Sequence, residues 1–484
     1  MRVARLVLLA VGAASILGAV WWGWPQAVPV PRNVVVISLD TTRADALGAW
    51  GHPDAHTPSL DALAAESIRF ARAYTTSPTT LASHTSLFTG NVAHTHGVPR
   101  NDHGVSPDNV LLAERLAEAG YDTAAFLGAM PLAAHSGFTQ GFGTIDADFT
   151  HHRTEGAGQT ERPGAEVTDA ALAWLRRHDS DTPFFLFVHY FDAHAPYDPP
   201  ADLRADLVPD LVDDKLGSVK QLQRLPMLRR RDPEAFPALA GRLERLYRAG
   251  VAEVDRQVGR LIEGLDALGA RDDTLVIVVA DHGETFASHD ELFDHGETVY
   301  DESTHVPMLL RLPGSAQAGR VFHTPVALID VVPTLIPWLG LPDVDEAFDG
   351  YSFFEALRRR GDWTRPAPIF LEATKPHLEG ASGWQNDALD KAVVDGTWKY
   401  LVRPRRKAEA LYDLGRDPEE QHDALHAEGA RAAPLRAAMQ AWRQAADPLP
   451  SPLISDARVQ AELAALGYTD AVAPSDDDLP PTPE

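Results

Sequence analysis

Acidic and histidine side chains follow three apolar runs of the chain, and each run has the pattern of a strand that is buried on both faces. Ligands bind outside the carboxyl ends of the strands in open α/β sheets, so we expect these side chains to converge on one site. Carboxylates and imidazoles without thiolates predict a site for one divalent ion, Zn²⁺, Mn²⁺, Mg²⁺ or Ca²⁺. The runs are NVVVISLD ending in Asp40, FFLFVHY followed by Asp192 and His194, and TLVIVVAD ending in Asp281 with His282 next.

Each of these residues also has a structural explanation when it is taken alone. Asp40 is suited to cap a helix that follows it, and DHGE, which begins at Asp281, is typical of a polar turn. His194 lies in a segment with two nearby prolines, Pro196 and Pro200, as loop histidines often do. The joint occurrence of these residues in this order favours the metal site.

The stretch TTSPTTLASHTSLFTG, residues 75–90, places many hydroxyl groups before the start of a predicted helix. One interpretation is helix capping. The other is a nucleophile at Thr80, with His84 four residues later. A helix N-terminus favours a bound anion, because it presents free N–H groups and the positive end of the helix dipole. A hydroxyl there that touches a metal loses its proton more readily, so this interpretation predicts attack on a tetrahedral oxyanion ester.

The composition excludes several classes of function. The chain of 484 residues contains no cysteine, so disulfides, thiolate–metal sites and a cysteine nucleophile are excluded. Its formal net charge is −26, so it repels polyanions, and no nucleic-acid partner is expected. An acidic surface also keeps a protein soluble, which is the simpler explanation of the charge.

Residues 1–24 predict an N-terminal transmembrane anchor or a signal peptide. Two arginines precede LVLLAVGAASILGAVWWGW, residues 6–24, which has no charged residue. This length approaches the roughly 20 residues that a bilayer-spanning helix needs, and its tryptophans suit the far membrane interface. We favour an uncleaved anchor with the catalytic part on the extracytoplasmic side, periplasmic or at the cell surface. A cleaved signal, which predicts a secreted protein, is the alternative.

The rest of the chain alternates apolar strands with amphipathic helices, which predicts an α/β fold with a mostly parallel central sheet between helices. One long helix is predicted at 246–269, and the polar segment 201–245 is predicted to form an inserted helical lid or surface excursion. Short strands with turn signals predict a small C-terminal antiparallel sheet. The predicted divisions are a linker at 25–32, a catalytic domain at 33–345, a C-terminal subdomain at 366–445 and a disordered acidic tail at 470–484.

These motifs together resemble the sulfatase family of the alkaline phosphatase superfamily, over nearly all of residues 33–425. The resemblance implies a sulfatase-like fold, one divalent metal and a sulfate- or phosphate-ester substrate. The segments that carry it are VVVISLDTTRADALGAWGH, TTSPTTLASHTSLFTG, FFLFVHYFDAHAPYDPP, TLVIVVADHGETF, HGETVYDESTHVPMLLRLPG and ALYDLGRDPEEQ. The residues it assigns are Asp40, Thr80, Asp281 and His282 to the metal, Thr80, His194 and His84 to catalysis, and His194, His295 and His305 to the substrate.

The sequence departs from the family pattern at the nucleophile. Sulfatases use formylglycine made from Cys or Ser in C/S-x-P/A-x-R, whereas this chain has Thr80, Ala82 and His84 at those positions. A Thr nucleophile instead resembles the two-zinc nucleotide pyrophosphatase/phosphodiesterases, and the single-metal set resembles lipoteichoic acid synthases and phosphoethanolamine transferases. Asp192 and His194 are only two residues apart, which argues against a second metal.

We therefore expect a metal-dependent hydrolase of a sulfuric or phosphoric ester that acts outside the cytoplasm through a metal-bound Thr80. The enzymatic alternatives are a phosphodiesterase, a phosphonate hydrolase, or a transferase of the phosphoglycerol or phosphoethanolamine type. The non-enzymatic alternative is a catalytically inactive relative that binds a glycan or a lipid head group.

Overall fold

Fifteen strands form three sheets in the computed structural model, which describes residues 28–149, 160–211, 215–289, 291–342, 347–375 and 388–465. The strands are β1 (Asn33–Leu39), β2 (Ile68–Phe70), β3 (Ala73–Tyr74), β4 (Asp122–Leu127), β5 (Thr144–Asp146), β6 (Phe184–Tyr190), β7 (Thr274–Val279), β8 (His305–Val306), β9 (Met308–Arg311), β10 (Val321–Phe322), β11 (Val326–Ala327), β12 (Ile369–Glu372), β13 (Lys391–Asp395), β14 (Trp398–Arg403) and β15 (Ala408–Asp413).

The main sheet has eight strands in the order β10-β2-β9-β7-β1-β6-β4-β5. Only β9 runs antiparallel to its neighbours, so the predicted mostly parallel sheet is confirmed. Every residue of β1, β6 and β7 is buried, because helices cover both faces of this part of the sheet. Ser38 on β1 pairs with His189 on β6 and with Val279 on β7, so the carboxyl ends of these three strands lie side by side.

Fourteen α-helices are present in the described part of the chain, together with several short 3₁₀ turns. They are α1 (Pro58–Ala65), α2 (Thr80–Thr89), α3 (Ala93–His96), α4 (Leu112–Glu118), α5 (Gly164–Leu175), α6 (Ala201–Leu207), α7 (Val219–Leu222), α8 (Leu225–Arg231), α9 (Phe236–Ala267), α10 (Asp301–Thr304), α11 (Val331–Leu339), α12 (Phe354–Arg359), α13 (Gly429–Gln444) and α14 (Ala457–Ala465).

The long helix α9 begins ten residues before the predicted start, at Phe236, and ends at Ala267 rather than at residue 269. Its first turns were missed because only Phe236 and Leu243 are buried among residues 236–245, so the apolar period that marks the rest of the helix is weak there. From Leu243 onward its buried side is continuous and packs against α1, α5 and α6. The helix thereby fixes one side of the main sheet.

The other predicted elements of the fold are present. The segment before α9 forms three short helices, α6, α7 and α8, on the surface. Strands β12 to β15 pair in chain order as an antiparallel sheet, as predicted for the C-terminal subdomain. Within the residues that the structure describes, no helix is long and apolar enough to cross a membrane. Residues 6–24 and the tail 470–484 lie outside those residues, so both predictions about them stay predictions.

Candidate active site

Asp40, Asp281 and His282 meet at the carboxyl ends of β1 and β7, and all three side chains are buried. One ligand atom from each residue lies within 4.8 Å of the others. Nε2 of His282 is 3.4 Å from Oδ2 of Asp281 and 4.0 Å from Oδ1 of Asp40. The convergence predicted from the strand ends is therefore present for these three residues.

The same three atoms lack a hydrogen-bond partner anywhere in the described residues, although buried polar atoms are normally paired. Burial and the neighbouring carboxylate of Asp281 raise the pKa of Asp40 well above its usual value. Two facing carboxylates repel each other in a buried site, and a divalent cation between them would remove the repulsion. Two carboxylate oxygens and one imidazole nitrogen fit such an ion, so the residues present are suited to hold the predicted metal.

The backbone after Asp40 is held in a strained conformation by contacts within the site. Thr41 has a φ of 54°, which is unfavourable for a β-branched residue. Its N–H donates to Oδ1 of Asp281 at 3.2 Å, and the hydroxyl of Tyr247 on α9 donates to its carbonyl at 2.9 Å. These two contacts fix the turn that carries Asp40 relative to Asp281.

His189 belongs to the site, although the sequence analysis did not select it. Its Nε2 lies 3.0 Å from Oδ2 of Asp40, and both side chains are fully buried. Burial lowers the pKa of His189 to about 4, so the ring is neutral near pH 7 and its Nε2–H donates to the carboxylate. The signal that could have found it is one histidine within the apolar run FFLFVHY.

Helix α2 begins at Thr80 and is docked on the metal-ligand residues. The hydroxyl of Ser83 donates to the backbone carbonyl of Asp281 at 2.7 Å. Nδ1 of His84 lies 2.7 Å from the carbonyl of Thr80 and 3.6 Å from Oδ2 of Asp281. Only the imidazole ring of His84 therefore lies between the start of this helix and the carboxylate of Asp281. The predicted contact of the Thr80 hydroxyl with a metal stays a prediction.

His84 is fully buried and packs edge-on against Phe138 and Phe187. A carbonyl oxygen only accepts hydrogen bonds, so Nδ1 carries the proton, and Nε2 accepts from the hydroxyl of Ser38 at 2.8 Å. Burial lowers the pKa of His84 to about 4, which keeps the ring neutral. The predicted catalytic role of His84 has the geometry of a positioning role, because the ring holds Thr80 and is shielded from solvent.

A row of three imidazoles leads away from the ligand cluster. The ring of His295 lies 4.2 Å from that of His282, and the ring of His194 lies 5.1 Å from that of His295. Nδ1 of His295 is 3.4 Å from Oε1 of Glu284, whose other oxygen accepts from the hydroxyl of Tyr197 at 2.9 Å. Burial is the main cause that raises the pKa of Glu284, to about 8. His194, His295 and Glu284 face a cavity of about 670 Å³.

Comparison with known proteins decides the family. The Sulfatase family profile matches residues 32–341, which include β1, β6, β7, α2 and every residue of the ligand cluster. The chain belongs to the sulfatase family. The resemblance inferred from the motifs is thereby confirmed, as is the predicted class of enzyme, a hydrolase of sulfuric or phosphoric esters.

Individual sulfatases cover most of the chain. It is 24% identical over 450 residues to an arylsulfatase of Clostridium perfringens, covering 82% of this chain and 90% of that protein. It is 29% identical over 426 residues to an ulvan-active sulfatase of Formosa agariphila, covering 83% of this chain and 78% of that protein. The fold also matches the crystal structure of a phosphonate monoester hydrolase of Agrobacterium radiobacter, with a TM-score of 0.67 and 24% identity over 85% of this chain and 95% of that one.

Two residues considered in the sequence analysis lie away from the ligand cluster of this sulfatase. Asp192 turns to α5, where its Oδ1 accepts from the N–H of Gly164 at 2.9 Å. The expectation of one metal rather than two stays a prediction. His305 lies on β8 in a three-stranded sheet with β3 and β11, and its Nε2 is 3.2 Å from the carbonyl of Ala71. Its predicted contact with substrate stays a prediction.

Proposed function

We propose that this sulfatase is a metal-dependent hydrolase in which Thr80 attacks a sulfuric or phosphoric ester. The observation that carries the proposal is the convergence of three unpartnered atoms of Asp40, Asp281 and His282 next to the helix that begins at Thr80. A divalent ion bound there would polarise the ester and lower the pKa of a hydroxyl that touches it.

The residues around Thr80 hold it at the start of α2. His84 binds the carbonyl of Thr80, and the next N–H, of Leu81, donates to Oδ1 of Asn101 at 2.7 Å. The helix dipole places partial positive charge at this end, where an ester anion would lie. This part of the chain therefore orients the hydroxyl and favours the developing negative charge of the reaction.

His194 is proposed to serve the leaving group. Burial and the neighbouring imidazole of His295 lower the pKa of His194 well below its usual value, so the ring is neutral. Its Nδ1 bonds to the carbonyl of Ala195, which directs the lone pair to Nε2. A neutral imidazole on the cavity wall is suited to accept a proton and to return it to the departing alcohol.

The identity of residue 80 favours a second, narrower candidate function, the hydrolysis of phosphoryl or phosphonyl esters. The chain has threonine there and contains no cysteine, so a formylglycine nucleophile is excluded. A hydrated aldehyde can expel sulfate by collapsing, whereas a threonine ester has to be hydrolysed by water or passed to an acceptor. Phosphoryl chemistry uses such esters, and the phosphonate monoester hydrolase fold match supports this candidate. Transfer to a phosphoglycerol- or phosphoethanolamine-type acceptor is the corresponding alternative.

The test is a side-by-side measurement of hydrolysis of p-nitrophenyl sulfate, p-nitrophenyl phenylphosphonate and bis(p-nitrophenyl) phosphate, with each metal added in turn. We expect a higher rate on the phosphorus esters than on the sulfate. Thr80→Ala should lower the rate by several powers of ten, on the order of 4–8 kcal/mol in the barrier, and Thr80→Ser should keep part of it. Thr89→Ala, at the far end of the same helix, is the matched control.

Two results would contradict the proposal in different ways. A rate that survives Thr80→Ala would exclude this residue as the nucleophile. Binding of ester analogues without hydrolysis of any ester, with every metal, would favour an inactive relative that binds a glycan or lipid head group.

We also propose that residues 6–24 anchor the enzyme with its catalytic part outside the cytoplasm, which their uncharged composition supports.

A further inference from the structure

The cavity beside the ligand cluster extends well beyond the room that one sulfate or phosphate group needs. Its volume of about 670 Å³ lies in the range of sites for drug-sized ligands. His194 and His295 line it next to the ligand cluster, and residues of α7 and α8 line it as well. An ester that is cleaved at Asp40 and Asp281 would therefore extend its alcohol part toward the helices of the inserted segment.

Two arginines of that segment line the cavity. Arg229 and Arg230 lie in the last turn of α8, and both are exposed. Neither side chain has an ion pair or hydrogen bond with any residue that the structure describes. Arg231, the next residue on the helix, is also exposed but does not line the cavity. Two adjacent arginines of this helix, and not the third, therefore line the cavity.

The negative groups of the cavity come from another part of its lining, the segment after His282. Asp294 is paired with the ammonium group of Lys375 at 2.8 Å. Glu284 accepts a hydrogen bond from the hydroxyl of Tyr197 at 2.9 Å, and Glu291 accepts from the N–H of Glu297 at 3.0 Å and from the hydroxyl of Thr298 at 3.1 Å, so both carboxyl groups are held by the protein. Glu297 is exposed, and Arg406 adds a further cation that has a contact of its own. A substrate anion would thus be attracted to Arg229 and Arg230 rather than to the segment with the glutamates.

We propose that Arg229 and Arg230 bind a second anionic group, a sulfate, phosphate or carboxylate, on the alcohol part of the ester that is cleaved. The proposal rests on the proposed function, because it takes the first anion to lie at Asp40, Asp281 and His282. Guanidinium groups suit this role, since their planar N–H donors match the oxygens of such anions in pairs. The substrate class is then a polyanionic ester rather than a simple aryl ester.

Calorimetric binding of sulfonates to the metal-loaded protein tests this without any turnover. Benzenesulfonate represents an ester with one anion, and the disulfonates of benzene, naphthalene and biphenyl carry a second anion at increasing distance. We expect at least one disulfonate to bind about tenfold more tightly than benzenesulfonate, which is the range for two exposed ion pairs. The preference should weaken as salt is added, because exposed charges are screened.

Two variants separate the arginines from general electrostatics. R229Q/R230Q should lose the preference for the disulfonate while it binds benzenesulfonate as the wild type does. R231Q, with the same loss of one charge per residue on the same helix, should keep the preference. If R229Q/R230Q keeps the preference for the disulfonate, or if the wild type has no such preference, the proposed role of the two arginines is wrong. Neither result would affect the proposed ester site. Failure of benzenesulfonate itself to bind would overturn the proposed ester site and this inference with it.

Discussion

Nε2 of His189 lies 3.0 Å from Oδ2 of Asp40, at the fully buried end of the main sheet. With Oδ2 held by this hydrogen bond, the other oxygen of Asp40, Oδ1, lies near Asp281 and His282. Among the described residues, Oδ1 has no hydrogen-bond partner. A donor behind a ligand carboxylate fixes the orientation of that carboxylate and tunes its basicity. His189 is therefore a positioning residue for the predicted metal.

Replacing His189 with Phe should weaken metal binding by about 10- to 100-fold, because Asp40 would lose the imidazole donor to its Oδ2 and could rotate more freely. His189→Gln keeps an N–H donor and should retain more of the affinity. Metal titration by calorimetry, with circular dichroism to confirm folding, measures both variants. Equal metal affinity in the wild type and in both variants would show that the contact does not support the site.

Replacing His84 with Phe should lower kcat far more than it changes KM, because the ring holds the carbonyl of Thr80 and does not face the cavity. His84→Asn can still donate to that carbonyl and should restore part of kcat. The measurement is steady-state kinetics on the best ester of the panel. A change in KM alone would instead indicate that His84 contacts the substrate.

Thr41→Gly should preserve metal binding and leave stability unchanged or improved. The φ of 54° is strained for Thr and free for Gly, and such strain costs on the order of 1–3 kcal/mol. The N–H that donates to Asp281 remains in the variant. Thr41→Pro lacks this N–H and cannot adopt a positive φ, so it should lose metal binding. Thermal unfolding and metal titration together distinguish strain from a need for the Thr side chain.

The free energy of unfolding should decrease as the pH rises from about 4 to about 6, because Asp192 loses its proton over this range. Burial raises its folded-state pKa from 3.8 to about 6, so the folded chain binds this proton more tightly than the unfolded chain does. Its favourable contribution is complete below pH 4 and is lost as the pH rises through 6. Asp192→Asn should therefore flatten this part of the profile by on the order of 2 kcal/mol. Urea unfolding across this range, with Asp54→Asn as an exposed control, checks the slope.

Residues 6–24 should keep the protein in the membrane fraction during alkaline carbonate washing, because an uncharged span of this length suits a bilayer. Blotting of the washed membranes measures the retained protein. Deletion of residues 1–24 should release an active soluble enzyme. Recovery of a natural soluble form that starts near residue 25 would instead show a cleaved signal.

The strands that carry the candidate metal ligands were predictable from the sequence, because a short continuous segment of the chain marks each of them. A strand buried on both faces is a continuous apolar run, and the polar residue that ends it marks the edge of the sheet. Parallel strands share the edge at which they end, so Asp40, Asp281 and His282 could be brought together without knowledge of the register. The family motifs depend on the same segments, which is why the fold class was also predictable.

Tertiary structure alone decided which neighbouring polar residues serve this site. His189 reaches Asp40 because β6 pairs with β1 in the register that sets it beside Ser38, and no local pattern encodes that register. Asp192, only three residues further on, turns to the N–H of Gly164 because α5 begins there. The sequence was enough to predict the candidate metal ligands and the position of Thr80, since these depend on where strands and helices end. The packing of distant elements determined their supporting contacts, because such contacts join residues far apart in the chain.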